Sequence, residues 1–159
     1  MLVLVEIASF AVDPGKNVPL VILKESGGRR TLPVTIGPME ASAIAIQSLN
    51  VASEKPLTID LVKLVMERLG GTLDRVVIYD VDGQSLRTRL QIVAGRTVHL
   101  VECRASDAIA FALRSGSPIY VAELVFEKQG AQDGRSAQNR LRTAISSLDT
   151  FDFGRCCLE

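Results

Sequence analysis

The side chains best suited to chemistry lie in residues 104–107, at the junction of a predicted strand and a predicted helix. Arg104 can bind an anion there, Asp107 can accept a proton or hold a cation, and the first N–H groups of a helix are free to donate. A structural role is also open, because Ser106 or Asp107 can cap the helix while Arg104 pairs with a carboxylate. From these residues alone, capping is the favoured interpretation.

Two further acidic residues stand at predicted helix starts. Glu40 follows the Gly37-Pro38 pair, and Asp60 lies two residues after Thr58. A carboxylate near a helix N-terminus interacts favourably with the helix dipole, and this interaction alone can explain the position of each acid. Three such acids could instead converge on one hard cation, since these cations take oxygen ligands. The spacing leaves both alternatives open.

Other polar residues are weaker candidates. Glu123 lies in an apolar segment and either joins the acidic site or faces water on an edge strand. Arg87 and Arg89 alternate on one strand, which fits a phosphate-binding patch but more often indicates a solvated face. His99 is the only histidine, and the three cysteines lack zinc-ligand spacing. The chain contains no G-x-S-x-G, P-loop, G-x-G-x-x-G or H-E-x-x-H motif.

Hydrophobic periodicity and turn residues predict the elements that must position these side chains. Strands are predicted at residues 2–12, 18–24, 30–36, 72–80, 85–93, 97–103 and 118–126, and helices at 38–49, 57–69, 106–115 and 137–148. Hairpins with segregated helices indicate an α+β fold, with a mixed or antiparallel sheet and helices packed against it in one compact domain. We predict this domain at residues 1–128, a linker at 129–135, and a C-terminal amphipathic helix and tail at 136–159.

Composition narrows the classes of partner. The 159 residues contain 18 basic and 18 acidic side chains, and only 4% are aromatic. A neutral chain has no global field to attract nucleic acid, and few aromatic rings are present to stack on bases, so phosphate contacts would need a local basic patch. The apolar N-terminus has no basic flank and is interrupted by Glu6, which argues against a signal peptide or membrane span. We predict a cytoplasmic location and no membrane partner.

Four separated strings then match a known pattern in order and spacing, from about residue 3 to 127. They are residues 32–41 (LPVTIGPMEA), 56–61 (PLTIDL), 104–110 (RASDAIA) and 118–121 (PIYV). Residues 148–153 (LDTFDF) also match the end of the C-terminal helix. Together these strings resemble the bifunctional nuclease (DNase/RNase) domain family. An ordered set of this kind is much more specific than any one string.

The resemblance implies a compact α+β domain that associates with itself, as a dimer or trimer, and cuts both DNA and RNA with broad specificity. Phosphodiester hydrolysis commonly uses a divalent cation, here expected to be Mg²⁺ or Mn²⁺. By position in the matched strings, the implied catalytic residues are Glu40, Asp60, Arg104 and Asp107, with Ser106 as a supporting donor. The implied cation ligands are Glu40, Asp60 and Asp107.

The chain departs from the family pattern at three positions. Ile59 stands where the family usually has histidine, Ala105 replaces a proline, and Leu124 replaces a second acid. The missing imidazole supports an alternative, in which the fold is a non-catalytic oligomeric module that binds a ligand or nucleic acid. A third possibility is a structural assembly protein in which the acidic residues only cap helices.

Overall fold

The chain alternates short aliphatic runs with turn residues, and these runs form a seven-stranded mixed sheet. The computed structural model describes residues 1–13, 15, 17–38, 40–41, 56–83 and 85–132, with the side chains of 130–132 outside the description. The strands are β1 (Leu2–Asp13), β2 (Val18–Glu25), β3 (Thr31–Thr35), β4 (Gly71–Asp82), β5 (Ser85–Ala94), β6 (Thr97–Cys103) and β7 (Ile119–Ala122). The helices are α1 (Thr58–Arg68), α2 (Ala105–Ser115) and α3 (Glu123–Gln132). The predicted single α+β domain is confirmed.

The strand order across the sheet is β3-β2-β1-β7-β4-β5-β6. Every neighbouring pair is antiparallel except β4 and β7, which run parallel. A parallel pair needs a long crossover, and the segment from β5 through α2 supplies it. β6 and β3 are therefore the two edges of the sheet, and α2 follows directly from the edge strand β6.

The core between the sheet and α2 is aliphatic, as the scarcity of aromatic residues predicts. The helix buries Ala108, Ile109, Phe111 and Ala112, each no more than 3% exposed, against strand residues such as Val76 and Ile78. Small alanines let the helix backbone approach the sheet closely. Gly116 ends α2 in the left-handed conformation, with φ of 65°, which glycine adopts without steric cost.

Helix α1 differs from α2 because none of its residues is fully buried. The predicted apolar stripe exists, but Leu61, Leu64, Val65 and Leu69 are 44–80% exposed. Among the described residues of this helix, only Ile59 and Met66 pack against the core. The stripe therefore leaves a large apolar surface on the described part of the chain.

One sequence prediction was wrong in part. The strand expected at 118–126 ends at Ala122, and Glu123 begins α3. Glu123 is thus the first residue of a helix, and it does not face water from an edge strand, because β7 lies between β1 and β4. Helix α3 also includes residues 129–132, the first part of the segment predicted as a linker.

Three other predictions concern residues outside this description. Pro38, Glu40 and Ala41 have helical backbone, but the remainder of the predicted helix 38–49 lies outside the described residues. The same holds for the predicted helix 137–148 and the tail. Among the helices that are described, none has the length and apolar character required to cross a membrane.

Candidate functional site

Arg104 links the edge strand β6 to helix α2 and occupies the N-cap position. Its backbone is extended, with φ of −67° and ψ of 145°, and its carbonyl accepts the first helical hydrogen bond from Ala108 at 3.0 Å. An arginine side chain cannot accept a hydrogen bond from the helix N-terminus. It therefore folds toward Asp107, where Nε donates to Oδ2 at 2.8 Å and Nη2 donates to Oδ1 at 3.0 Å.

Glu40 completes this group from a distant part of the chain. Its Oε1 accepts a hydrogen bond from Arg104 Nη2 at 3.0 Å, across 64 residues of sequence. The Glu40 side chain is only 18% exposed. Gly37 makes room for it, because a Cβ at Gly37 would overlap the Glu40 carboxylate. We call Glu40, Arg104 and Asp107 the Arg104 cluster; the structure brings these three predicted residues together.

The Arg104 cluster presents a fixed positive group to solvent. The side chain of Arg104 is 72% exposed, and that of Asp107 is 40% exposed. The Asp107 carboxylate, followed by that of Glu40, raises the pKa of Arg104 above its ordinary value, so the guanidinium keeps its charge. Because both carboxylates contact the guanidinium, its plane is held in one orientation without being buried.

Ser106 occupies a different environment from its neighbours. It lies in the first turn of α2, and it is only 7% exposed. Its hydroxyl is thus shielded from solvent beside the exposed Arg104 cluster. The predicted role of Ser106 as a supporting donor stays a prediction.

Asp60 lies elsewhere. Its Oδ2 accepts the backbone N–H of Leu57 at 3.0 Å, and its Oδ1 lies 3.3 Å from Nε of Arg114. Arg114 is in the last turn of α2, ten residues beyond Arg104, which corresponds to about 15 Å along the helix. Asp60 therefore stabilises the start of α1 and joins it to the far end of α2, and its catalytic role stays a prediction.

Replacing Asp60 with alanine tests that structural role. We expect Asp60→Ala to lower the free energy of unfolding by about 0.5–2 kcal/mol, the usual cost of losing a helix-start acceptor. Urea unfolding followed by circular dichroism measures this change. Glu67→Ala, which removes an exposed acid from the last turn of the same helix, is the matched control.

The other candidate residues form separate pairs. Glu123 contacts Arg30 at 3.3 Å, and Arg30 also holds Glu25 through two hydrogen bonds of 2.9 Å. Arg87 pairs with Asp82 at 2.7 Å. In a third pair, the guanidinium carbon of Arg89 lies 5.0 Å from the centre of the Tyr79 ring. None of these contacts includes a residue of the Arg104 cluster.

Cys103, the residue before Arg104, is not an activated thiol. Burial, and next the negative charge of Asp107, raise its pKa above the ordinary value. A nucleophilic cysteine needs the opposite shift, because the thiolate is the reactive form. Cys103 therefore lacks the lowered pKa of an activated thiol, and its side chain packs against the hydrophobic core.

Sequence reasoning missed two residues that shape this region. Gly37 gives space to the Glu40 carboxylate, and its signal is a glycine directly before the proline that opens a helix. Arg114 fixes Asp60 and is only 15% exposed, but nothing in its position in the sequence distinguishes it from the other basic residues. Its partner lies 54 positions earlier in the chain, on another helix.

Of the three predicted cation ligands, the structure brings Glu40 and Asp107 together and places Asp60 apart from them. Over the described ranges, no three histidine, cysteine, aspartate or glutamate side chains are grouped so that they could hold a metal ion. Asp60 is separate from the cluster, and Glu40 and Asp107 both contact Arg104. Dependence on Mg²⁺ or Mn²⁺ consequently stays a prediction.

Comparison with known proteins identifies the family. The bifunctional nuclease domain model matches residues 21–133, a range that contains Glu40, Asp60, Arg104 and Asp107. Two Mycobacterium tuberculosis proteins, uncharacterized protein MT1877 of strain CDC 1551 / Oshkosh and uncharacterized protein Rv1829 of strain ATCC 25618 / H37Rv, are each 35% identical over 149 residues. Those residues cover 94% of this chain and 89% of each relative. The chain belongs to the bifunctional nuclease domain family.

Proposed function

We propose that this chain hydrolyses phosphodiester bonds of DNA and RNA with broad specificity, and that the Arg104 cluster is its active site. The observation that carries the proposal is the exposed Arg104 guanidinium, held by two carboxylates at the start of a helix. Membership of the bifunctional nuclease domain family supports the reaction class. Backbone and sugar–phosphate contacts are common to DNA and RNA, so an arginine that binds phosphate suits a broad specificity.

Arg104 is the group that binds the phosphate. A guanidinium donates two parallel hydrogen bonds to phosphate oxygens, and its charge stabilises the negative charge that develops during transfer. Glu40 is the positioning residue, because its largely buried carboxylate fixes Arg104 Nη2 from the segment that follows β3. Asp107 is the more exposed of the two carboxylates and is the one available to substrate water.

In this mechanism the phosphate takes part of the Arg104 hydrogen bonding from Asp107. The freed Asp107 carboxylate accepts a proton from a water molecule, whose oxygen forms a bond to phosphorus. The bond from phosphorus to the leaving sugar oxygen breaks, and that oxygen takes a proton from solvent. General-base assistance of this kind typically contributes 10²–10⁴-fold to a rate.

The charge balance of the cluster bears on the cation. Two carboxylates and one guanidinium give a formal charge of −1, which repels a phosphodiester until a positive group joins or a carboxylate is neutralised. This supports the proposed need for Mg²⁺ or Mn²⁺, while the residue set defines no complete site for the ion. No step of the mechanism above depends on a metal ligand.

The decisive experiment compares the full chain with Asp107→Asn on single-stranded DNA, duplex DNA and RNA. Each substrate is tested with Mg²⁺, with Mn²⁺ and with a chelator. We expect cleavage by the wild-type chain and a loss of about 100-fold or more in Asp107→Asn. Asp82→Asn is the matched control, because it removes another aspartate that pairs with an arginine. Equal rates in all three proteins would refute the assigned site.

A non-catalytic binding module is the second candidate, and Ile59 is the observation that favours it. Ile59 packs against the hydrophobic core at the position where the family usually has histidine. An alkyl side chain cannot transfer a proton. Binding of nucleic acid by the wild-type chain without any cleavage, under every metal condition above, would support this candidate over the nuclease.

A further inference from the structure

Strand β6 is exposed on both faces and along its outer edge. Residues 97–102 are all exposed, and Val98, Leu100 and Val101 are 52%, 55% and 44% exposed. Val98 and Leu100 lie on one face of the sheet, whereas Val101 lies on the other, because side chains alternate along a strand. A helix or loop packed on one face would leave the opposite face uncovered. Another strand paired to β6 gives the side chains on both faces a cross-strand neighbour.

The two edges of the sheet are not equally protected. The opposite edge strand, β3, has only five residues and includes Pro33, which has no N–H to donate to an added strand. β6 has seven residues, contains neither proline nor lysine, and pairs with β5 without any shift in register. An unprotected apolar edge of this kind is open to pairing with a further strand.

The turn before β6 determines which backbone groups face outward. Ala94 pairs with Thr97 across the two-residue turn formed by Gly95 and Arg96. The pair that closes such a turn is hydrogen-bonded, and bonded and non-bonded pairs alternate along an antiparallel ladder. Residues 97, 99, 101 and 103 therefore direct their backbone groups toward β5. Val98, Leu100 and Glu102 direct theirs away from the sheet.

We propose that β6 is the surface through which this chain forms a dimer, by pairing antiparallel with β6 of a second copy in a register centred on His99. In this register Val98 of each copy lies opposite Leu100 of the other. Arg96 of each copy lies opposite Glu102 of the other. The pairs of Val98 with Leu100 join outward-directed backbone groups and so form hydrogen-bonded pairs. Arg96 is a turn residue and contributes its charge opposite Glu102, whose carboxylate also accepts a hydrogen bond from the Tyr79 hydroxyl at 2.7 Å.

Other registers match the chemistry less well. A register centred on Leu100 would place the apolar Val98 opposite Glu102. A shift by a single residue would place outward-directed groups opposite inward-directed ones, and the hydrogen bonds would be lost. The second copy is thus favoured as the occupant, because the backbone pattern, the Val98–Leu100 pair and the charges of this edge are self-complementary about His99.

The exposed surface of α1 adjoins the same edge. An apolar groove of about 510 Å³ is lined by Leu61 and Val65 of α1, by Leu69 directly after it, and by Ile92 and Ala94 of β5. Ile92 pairs with His99, and Ala94 pairs with Thr97, so the groove borders β6. Thr97 and His99 share the face of the groove, whereas Val98 and Leu100 lie on the opposite face of the sheet. The groove is therefore a neighbour of the proposed pairing and is not required for it.

Sedimentation equilibrium of the full chain over a range of concentrations tests the proposal. We expect the wild-type chain to have twice the mass of one 17.2 kDa chain. We expect Val98→Lys to shift the mass to that of a single chain, because a lysine on the paired edge opposes strand addition. Leu4→Lys is the matched control: Leu4 is also an exposed apolar strand residue, 40% against 52%, but it pairs with Tyr120 of the neighbouring strand β7 and so does not lie on an open edge.

Charge exchange tests the register. Arg96→Glu alone and Glu102→Lys alone should each weaken the dimer about tenfold or more, and the double variant should recover most of that loss. Circular dichroism checks that every variant is folded. A wild-type monomer at all concentrations, a threefold mass, or a dimer that survives Val98→Lys would overturn the β6 proposal. These outcomes do not depend on nuclease activity, so this proposal and the proposed function can fail separately.

Discussion

Arg104→Ala is expected to lower the nuclease rate at saturating substrate by about 100- to 1000-fold, the usual effect of removing one fixed group that stabilises transition-state charge. The prediction rests on the proposed function. Arg104 is the exposed cation of the cluster, and its removal leaves Glu40 and Asp107 as two carboxylates without a neutralising group. Like charges then repel both each other and the phosphate. Single-turnover cleavage of a labelled oligonucleotide measures the effect.

Arg30→Ala is the matched control for this substitution. Arg30 also makes two hydrogen bonds to one carboxylate and contacts a second, but it is 38% exposed and lies 4.8 Å from the Phe126 ring. It should therefore affect stability and leave the rate per folded molecule unchanged. Arg104→Lys keeps the charge but loses the bidentate geometry, so an intermediate rate is expected. A rate for Arg104→Ala equal to that of Arg30→Ala would contradict the phosphate-binding role.

Local signals explain the elements that the sequence predicted well. Asp82-Gly83 marked the hairpin between β4 and β5, and Gly83 has the positive φ of 60° that such a turn requires. The predicted limits of β6 match the observed ones. Gly95 begins the turn before this strand, and helix α2 starts at Ala105 soon after it. Turns and helix ends depend on residues a few positions apart, and this information is present in the sequence.

Long-range contacts explain what could not be predicted. The pairing of Glu40 with Arg104 joins residues 64 positions apart, and nothing local distinguishes it from the pairing of Asp60 with Arg114. All three acids stand at helix starts, so the local pattern was identical for each. Only the path of the chain places Glu40 beside α2 and Asp60 at its opposite end. The helix that begins at Glu123 was missed because the apolar run continues across the end of β7.

The helix that carries Arg104 and Asp107 depends on its buried face, and Ile109→Ala tests that dependence. Ile109 is fully buried in the core between α2 and the sheet. We expect this substitution to lower the free energy of unfolding by about 2–5 kcal/mol, because it removes buried methylene groups and leaves a cavity. Urea unfolding should show a lower midpoint with an unchanged slope. Leu69→Ala, at a position that is 80% exposed, should change stability by no more than about 0.5 kcal/mol. Equal losses in the two variants would contradict the assigned core.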